Sequence, residues 1–166
     1  MYSSVSEFIS DWKNESELTM KIFDAVPDEK MEIIPSENIR TLARLAWHIA
    51  HTTIEMPHKA GLFDSESAGE GDVPKTVAEL KAKFLKFNNE LIAALETKWT
   101  NINLGDELTI YGQTWTEGQL LSVLTKHMIH HRAQMTVIMR MLGIKVPGIY
   151  GPAKEEWSAF GMETKL

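Results

Sequence analysis

His127 and His131 stand four residues apart within a stretch, Leu120 to Leu142, whose apolar side chains recur at helical spacing. That spacing sets two imidazoles one turn apart on one helix face, where two ring nitrogens reach a single metal ion at roughly 2.0–2.1 Å. At about 100° per residue both fall near the centre of the arc formed by Leu120, Leu124, Met128, Met135 and Ile138. A buried polar group without a partner costs about 1–3 kcal/mol, so a pair pointing into a core needs an ion or hydrogen bonds. A third ligand has to come from a facing helix, and Trp47-His48-Ile-Ala-His51 offers one. His48 sits at the rim of that segment's apolar arc beside Leu45 and Thr52, which leaves such a site open on one side. His51 is expected to face solvent.

The remaining candidates carry less. Glu55 and Glu15 could bring a carboxylate near the site, but each reads first as a solvated helix residue. Gln134 is placed to hydrogen-bond a ligand imidazole or to make a plain interhelical contact. His130 reads as structural or as a support for a ligand, and His58, after Pro57, as a surface residue. Met128, Met135 and Met139 are at core spacing, and Trp47, Trp115 and Trp157 read as core before they read as pocket walls. Phosphate loops, a G-x-S-x-G elbow and basic-aromatic patches are all missing.

Breakers divide the chain into the elements that must position these residues. Ser4 with Glu7 caps a first helix from Ser6 to Val26, carrying Phe8, Trp12 and Ile22. A second helix is expected from about Asn38 to Ala60, opened by Ser36 or Asn38 and with Pro57 in its last turn, followed by an acidic, mobile loop from Asp64 to Pro74. Thr76 and Glu79 cap a third helix striped by Leu80, Phe84, Phe87, Leu91 and Leu95. Leu108 to Trp115 predicts a small hairpin, Thr116 with Gln119 caps the fourth helix, and Gly143 ends it. Lys154 to Phe160 is a short fifth helix. The fold class is all-α: an antiparallel four-helix bundle in a single domain, residues 1–166, with a longer connection between the third and fourth helices.

Composition narrows the function. With 17 Lys+Arg against 23 Asp+Glu and a net charge of −6, nucleic acid is not the expected partner. No Cys is present, which excludes a disulfide framework, a zinc ribbon and a thiol nucleophile from the chain itself. Neither a signal peptide nor a membrane span is readable, so the expected location is cytoplasmic.

His127-Met-Ile-His-His131-Arg-Ala-Gln-Met, followed by Arg140-Met-Leu-Gly143-Ile-Lys-Val-Pro147, resembles the last bundle helix of the DinB-like superfamily. That superfamily includes the YfiT-type hydrolases and thiol-dependent transferases and is unrelated to the DNA polymerase of the same name. Thr41-Leu-Ala-Arg-Leu-Ala-Trp-His48-Ile-Ala-His is similar to its second helix and Pro147-Gly-Ile-Tyr-Gly-Pro152 to its closing segment. The resemblance implies that His48, His127 and His131 bind nickel or zinc, with waters completing the sphere. It also implies a homodimer, and low-molecular-weight-thiol S-transfer or a thiol-dependent isomerisation on a small-molecule substrate.

Three neutral imidazoles leave an ion its full +2 charge, which eases deprotonation of a bound water or thiol. Lacking Cys, the chain needs an exogenous thiol of the bacillithiol type, and S-transfer is the leading expectation. Hydrolysis by metal-bound water with Glu55 as general base is the alternative within catalysis. A noncatalytic bundle with a structural ion, or one binding a ligand or partner, is the alternative outside it, and histidines satisfied without any metal are a third reading. The apolar back of the second helix (Ala43, Trp47, Ala50, Ile54) calls for a dimer interface or a cover. Metal is expected to leave as the histidines protonate below about pH 6.5.

Overall fold

Caps read from the sequence set the helix starts. The computed structural model describes residues 2–161 and residue 163. Ser4 opens α1 (Val5–Asp24), its hydroxyl accepting from the Glu7 amide. The Glu7 carboxylate closes on Ser3 rather than on Ser4. Thr76 opens α3 (Val77–Lys98) in the same way. Thr116 and Gln119 form the full reciprocal box at α4 (Glu117–Met141). Gly143 follows α4 at φ +69°, the left-handed region that glycine adopts without steric cost, and Lys30 Nζ donates to the free Leu142 carbonyl at 2.6 Å.

The second helix differs from expectation at its start. α2 (Leu42–Lys59) begins at Thr41, which is extended and accepts from the Arg44 amide; Ser36 and Asn38 belong to a turn before it. Three residues expected to be helical, Asn38 to Arg40, are thereby released as loop. Pro57 lies in the last turn, and α2 ends two residues beyond it. The hairpin forms as expected, with β1 (Glu107–Ile110) paired antiparallel to β2 (Gln113–Thr116). Tyr111 (φ 53°) and Gly112 (φ 73°) make its two-residue turn, which needs positive φ at both positions. Lys154–Phe160 is a 3-10 helix.

Side-chain contacts give the directions of the helices. Trp12 Nε1 donates to Asn88 Oδ1 at 2.7 Å and Phe23 packs edge-on against Phe84, so α1 and α3 are antiparallel. Tyr2 meets Thr125 while Glu15 meets Arg132, so α1 and α4 run parallel. Trp47 packs on Phe87 and Lys98 reaches the Leu62 carbonyl, so α2 and α3 are parallel as well. The bundle is therefore two antiparallel pairs, α1 with α3 and α2 with α4, lying side by side. Parallel neighbours need a long return, and residues 60–76 supply it. The return is as long as the α1–α2 link, residues 25–41, and close in length to the connection that carries the hairpin.

The return runs back along α2. His58 meets Phe63, His51 meets Ala68, and Trp47 meets Gly69 and Glu70. The segment is irregular, as the sequence predicts, but α2 ties it down along its length. It also answers the question of α2's apolar back. Ala43, Trp47, Ala50 and Ile54 are buried within the chain, with Phe87 of α3 and this return against Trp47. Among the described residues no helix is long and apolar enough to cross a membrane.

Candidate functional site

α4 turns His127 and His131 toward α2, and α2 turns His48 toward α4. One ring nitrogen from each of the three lies within 4.8 Å of the others. His131 Nε2 stands 3.1 Å from His127 Nε2, and the His48 ring is edge-on to both, with centroids 4.9 and 4.6 Å away. The three are half-buried. They lie at the α2 edge of the buried arc of α4 rather than at its centre, because that arc also takes in Leu121, Thr125, Arg132 and Met139.

Electrostatics keep the cluster in its donor form. Burial pushes His48 and His127 down to about 4 each, and the neighbouring rings, which would repel it once charged, add to the shift. Burial lowers His131 too, against the opposing hydrogen bond from Gln134. All three are neutral at pH 7, with lone pairs available to a divalent ion. Proton competition for these nitrogens is therefore expected below the pH 6.5 of a free imidazole. Unfolded, these rings take protons near pH 6.5; folded, His48 and His127 take them only near 4. Stability of the metal-free protein is expected to be flat above about pH 6.5. It is then expected to fall by on the order of 2–4 kcal/mol as pH drops to 4, allowing for the rings' part exposure. Urea midpoints across that range check it; a midpoint unchanged from pH 7 to 4.5 would contradict the depressed values.

The residues present fit a metal ion. Three imidazoles without a thiolate or carboxylate form a donor set suited to a divalent transition metal, and His48 Nδ1 is buried with no hydrogen-bond partner. His48, His127 and His131 could hold such an ion. Gln134 supports the arrangement: its Oε1 lies 2.8 Å from His131 Nδ1, so that nitrogen carries the proton and Nε2 is left with the lone pair. The Gln134 amide nitrogen meets His130 Nε2 at 3.0 Å, which gives the exposed His130 a supporting place. Replacing Gln134 with Leu is expected to weaken metal binding by roughly tenfold while the fold is kept. Competition with a chromophoric chelator measures this, and unchanged affinity would remove Gln134 from the site.

The other sequence candidates are engaged with other partners. His51 does not face solvent: it is buried under the return segment, with Nε2 3.2 Å from the Ala68 carbonyl and 3.4 Å from Glu66. Glu55 accepts from the Tyr111 hydroxyl at 2.6 Å and pairs with Lys59. Glu15, read as solvated, is buried against Arg132 at 2.6 Å. Sequence reasoning missed Glu70. It pairs with Arg44 at 3.1 Å and stands 3.9 Å from His48 Nδ1. Its signal could only have been the return of the chain along α2, which no local pattern encodes.

Beside the histidines a cleft of about 620 Å³ opens between the 38–40 loop, α2 and α4. His48 and His131 form part of its wall, with Leu45, Ile138 and Gln134 near them. A small molecule fits a space of this size.

Comparison with known proteins agrees with this architecture. Residues 1–165 match the model of the DinB family. Over 164 residues the chain is 37% identical to the uncharacterized protein YrdA of Bacillus subtilis (strain 168), with 98% of each chain covered. It superposes on the crystal structure of a DinB-like protein from Bacillus cereus ATCC 10987 with a TM-score of 0.83 and 31% identity, over 90% of this chain and 100% of that one. A DinB-like protein from Bacillus subtilis, YjoA, shares the fold at a TM-score of 0.65 and 18% identity, over 88% of this chain and 98% of the other. With a match that runs almost end to end and a relative aligned over nearly its full length, the chain belongs to the DinB family.

Proposed function

We propose that the protein is a metal-dependent S-transferase that uses zinc or nickel at His48, His127 and His131 and an exogenous low-molecular-weight thiol of the bacillithiol type. The observation that supports this best is a cluster of three neutral imidazoles, two of which, His48 and His131, form part of the wall of an open, largely apolar cleft. A divalent ion there would supply Lewis acidity, favouring the thiolate of a bound thiol. The chain supplies the rest. It has no Cys, so the sulfur nucleophile has to enter from solvent, and the cleft is the way in. Gln134 fixes the tautomer of His131.

Hydrolysis with Glu55 as the base is less well supported. Burial alone would raise the Glu55 carboxyl, but the Lys59 and Tyr111 hydrogen bonds outweigh it and hold the group below its ordinary value. A carboxylate engaged on both oxygens and held ionised is a weak proton acceptor. The homodimer belongs to the same proposal and has to use a face other than the back of α2, which the chain itself covers.

The test is the rate at which cysteine or bacillithiol displaces chloride from 1-chloro-2,4-dinitrobenzene. Metal-loaded protein should accelerate it, and EDTA treatment or His131→Ala should abolish the acceleration. No metal-dependent acceleration with either thiol sinks the transferase reading. Metal-dependent cleavage of 4-nitrophenyl acetate without thiol would move it to a hydrolase.

A further inference from the structure

The chain has four arginines, and three are committed to carboxylates: Arg44 to Glu70, Arg132 to Glu15 and Arg140 to Glu155. The fourth, Arg40, has no carboxylate within 4.0 Å among the described residues, although the chain carries a net charge of −6. It sits in the loop released by the late start of α2 and lines the cleft beside the histidines. No other residue lining the cleft has a fixed charge. Its guanidinium is close enough to disfavour protonation of both His48 and His131. Val137 and Met141, more than half exposed on α4, line the same cleft, and Ile39 adds a third apolar side chain. A lone unpaired cation at one side of an apolar trough is complementary to a molecule with one anionic end.

We propose that this cleft binds the substrate, a small organic acid whose carboxylate pairs with Arg40 and whose apolar body lies along Ile39, Val137 and Met141 toward His48 and His131. The proposal names the substrate class for the transferase reading above and rests on that reading only for what happens at the metal. Arg40 is the specificity-determining residue, because a guanidinium fork matches a carboxylate bidentately and is left unpaired by a neutral analogue.

The experiment titrates the purified protein with hexanoate and with hexanamide, followed by 1H–15N correlation spectra, with metal content measured on each sample. Hexanoate should shift the amides of Ile39, Val137 and Met141 and bind at least about tenfold more tightly than hexanamide, the range of a charge-assisted pair. Arg40→Gln should erase that preference without changing metal content, and Arg40→Lys should restore part of it. In His127→Ala, from outside the cleft wall, the preference should persist if Arg40 reads the carboxylate. Its disappearance there would show that the metal holds the carboxylate and would overturn the proposal. Equal binding of hexanamide, or full hexanoate affinity in Arg40→Gln, would overturn it as well. So would a wild-type dimer that Val137→Glu converts to a monomer, with no hexanoate shifts, since a second copy then fills the cleft. Arg40-dependent binding in protein that takes up no metal would leave the acid site standing and remove the transferase reading instead.

Discussion

Untagged protein dialysed against metal-free buffer is expected to keep close to one divalent ion per chain, and the His131→Ala variant almost none. Deleting an outer partner of a metal ligand already costs roughly 10–100-fold in affinity, and deleting a ligand should cost more. Two imidazoles would remain in His131→Ala, and no carboxylate is part of the cluster to replace the third. Histidine content alone does not produce the effect, and two controls separate it. His51→Ala removes a ring bonded to Ala68 and near Glu66, and His130→Ala removes an exposed ring beyond Gln134; both should retain the ion. The fold should survive chelation, because Phe8, Trp12, Trp47, Phe84 and Phe87 build a core that does not depend on the ion. Inductively coupled plasma mass spectrometry reads the first part and thermal melts with and without EDTA the second. A wild type that stays empty after incubation with zinc and nickel would end the metal reading. A steep fall in melting temperature on chelation would make the ion structural.

What the sequence made legible follows the range over which each signal acts. Caps are local: Ser4, Thr76 and Thr116 each bond an amide a few residues away, and all three were readable as helix starts. The i, i+4 pair on α4 is local too, and one helix was enough to bring His127 and His131 together. His48 needed a second helix, and its place at the rim of an apolar arc was sufficient because α2 and α4 do pack face to face. The start of α2 was not readable, because Ser36, Asn38 and Thr41 are all residues that can cap, and only the bond from the Arg44 amide picks out Thr41.

Long-range order was illegible for a physical reason. Whether α2 and α3 run parallel is decided by how residues 60–76 travel, and an acidic Gly-rich stretch looks the same as a tether or as a free loop. That one connection reassigns several residues. It buries His51, covers Trp47 and brings Glu70 beside His48. The same blindness applies to charge. A glutamate on a polar stretch of α1 reads as solvated until its partner, 117 positions along the chain, is known.

That partner makes the second large effect. Glu15→Ala is expected to destabilise the protein by about 3–5 kcal/mol, because it leaves the Arg132 guanidinium buried without a counter-charge. The pair is nearly dry, with side chains 6% and 3% exposed, and well bonded. Arg132 Nη2 donates to Glu15 Oε2 at 2.6 Å, while Nη1 donates to the Glu15 carbonyl and to Thr19 Oγ1. Tyr150, from the closing segment, donates its hydroxyl to Glu15 Oε2 at 2.7 Å and accepts from Arg132, so the network also clamps the C-terminal chain to α1. Tyr150→Phe loses only that clamp and should cost about 0.5–1.5 kcal/mol. A Glu15→Leu, Arg132→Met double variant should recover most of the loss of either single one, since apolar replacement of both partners of a buried pair is close to neutral. The consequence reaches the metal site. Arg132 follows His131 in α4, about 100° around the helix, so anchoring Arg132 on α1 fixes the rotation that points His131 at α2. Glu15→Ala should therefore weaken metal binding too, whereas the apolar double variant, its helix still packed, should regain stability more fully than affinity. Urea unfolding and chelator competition on the wild type, Glu15→Ala, Glu15→Leu, Arg132→Met and the double variant test both halves. A Glu15→Ala loss below 1 kcal/mol, or purely additive singles, would show that the buried pair is not what holds α4 against α1.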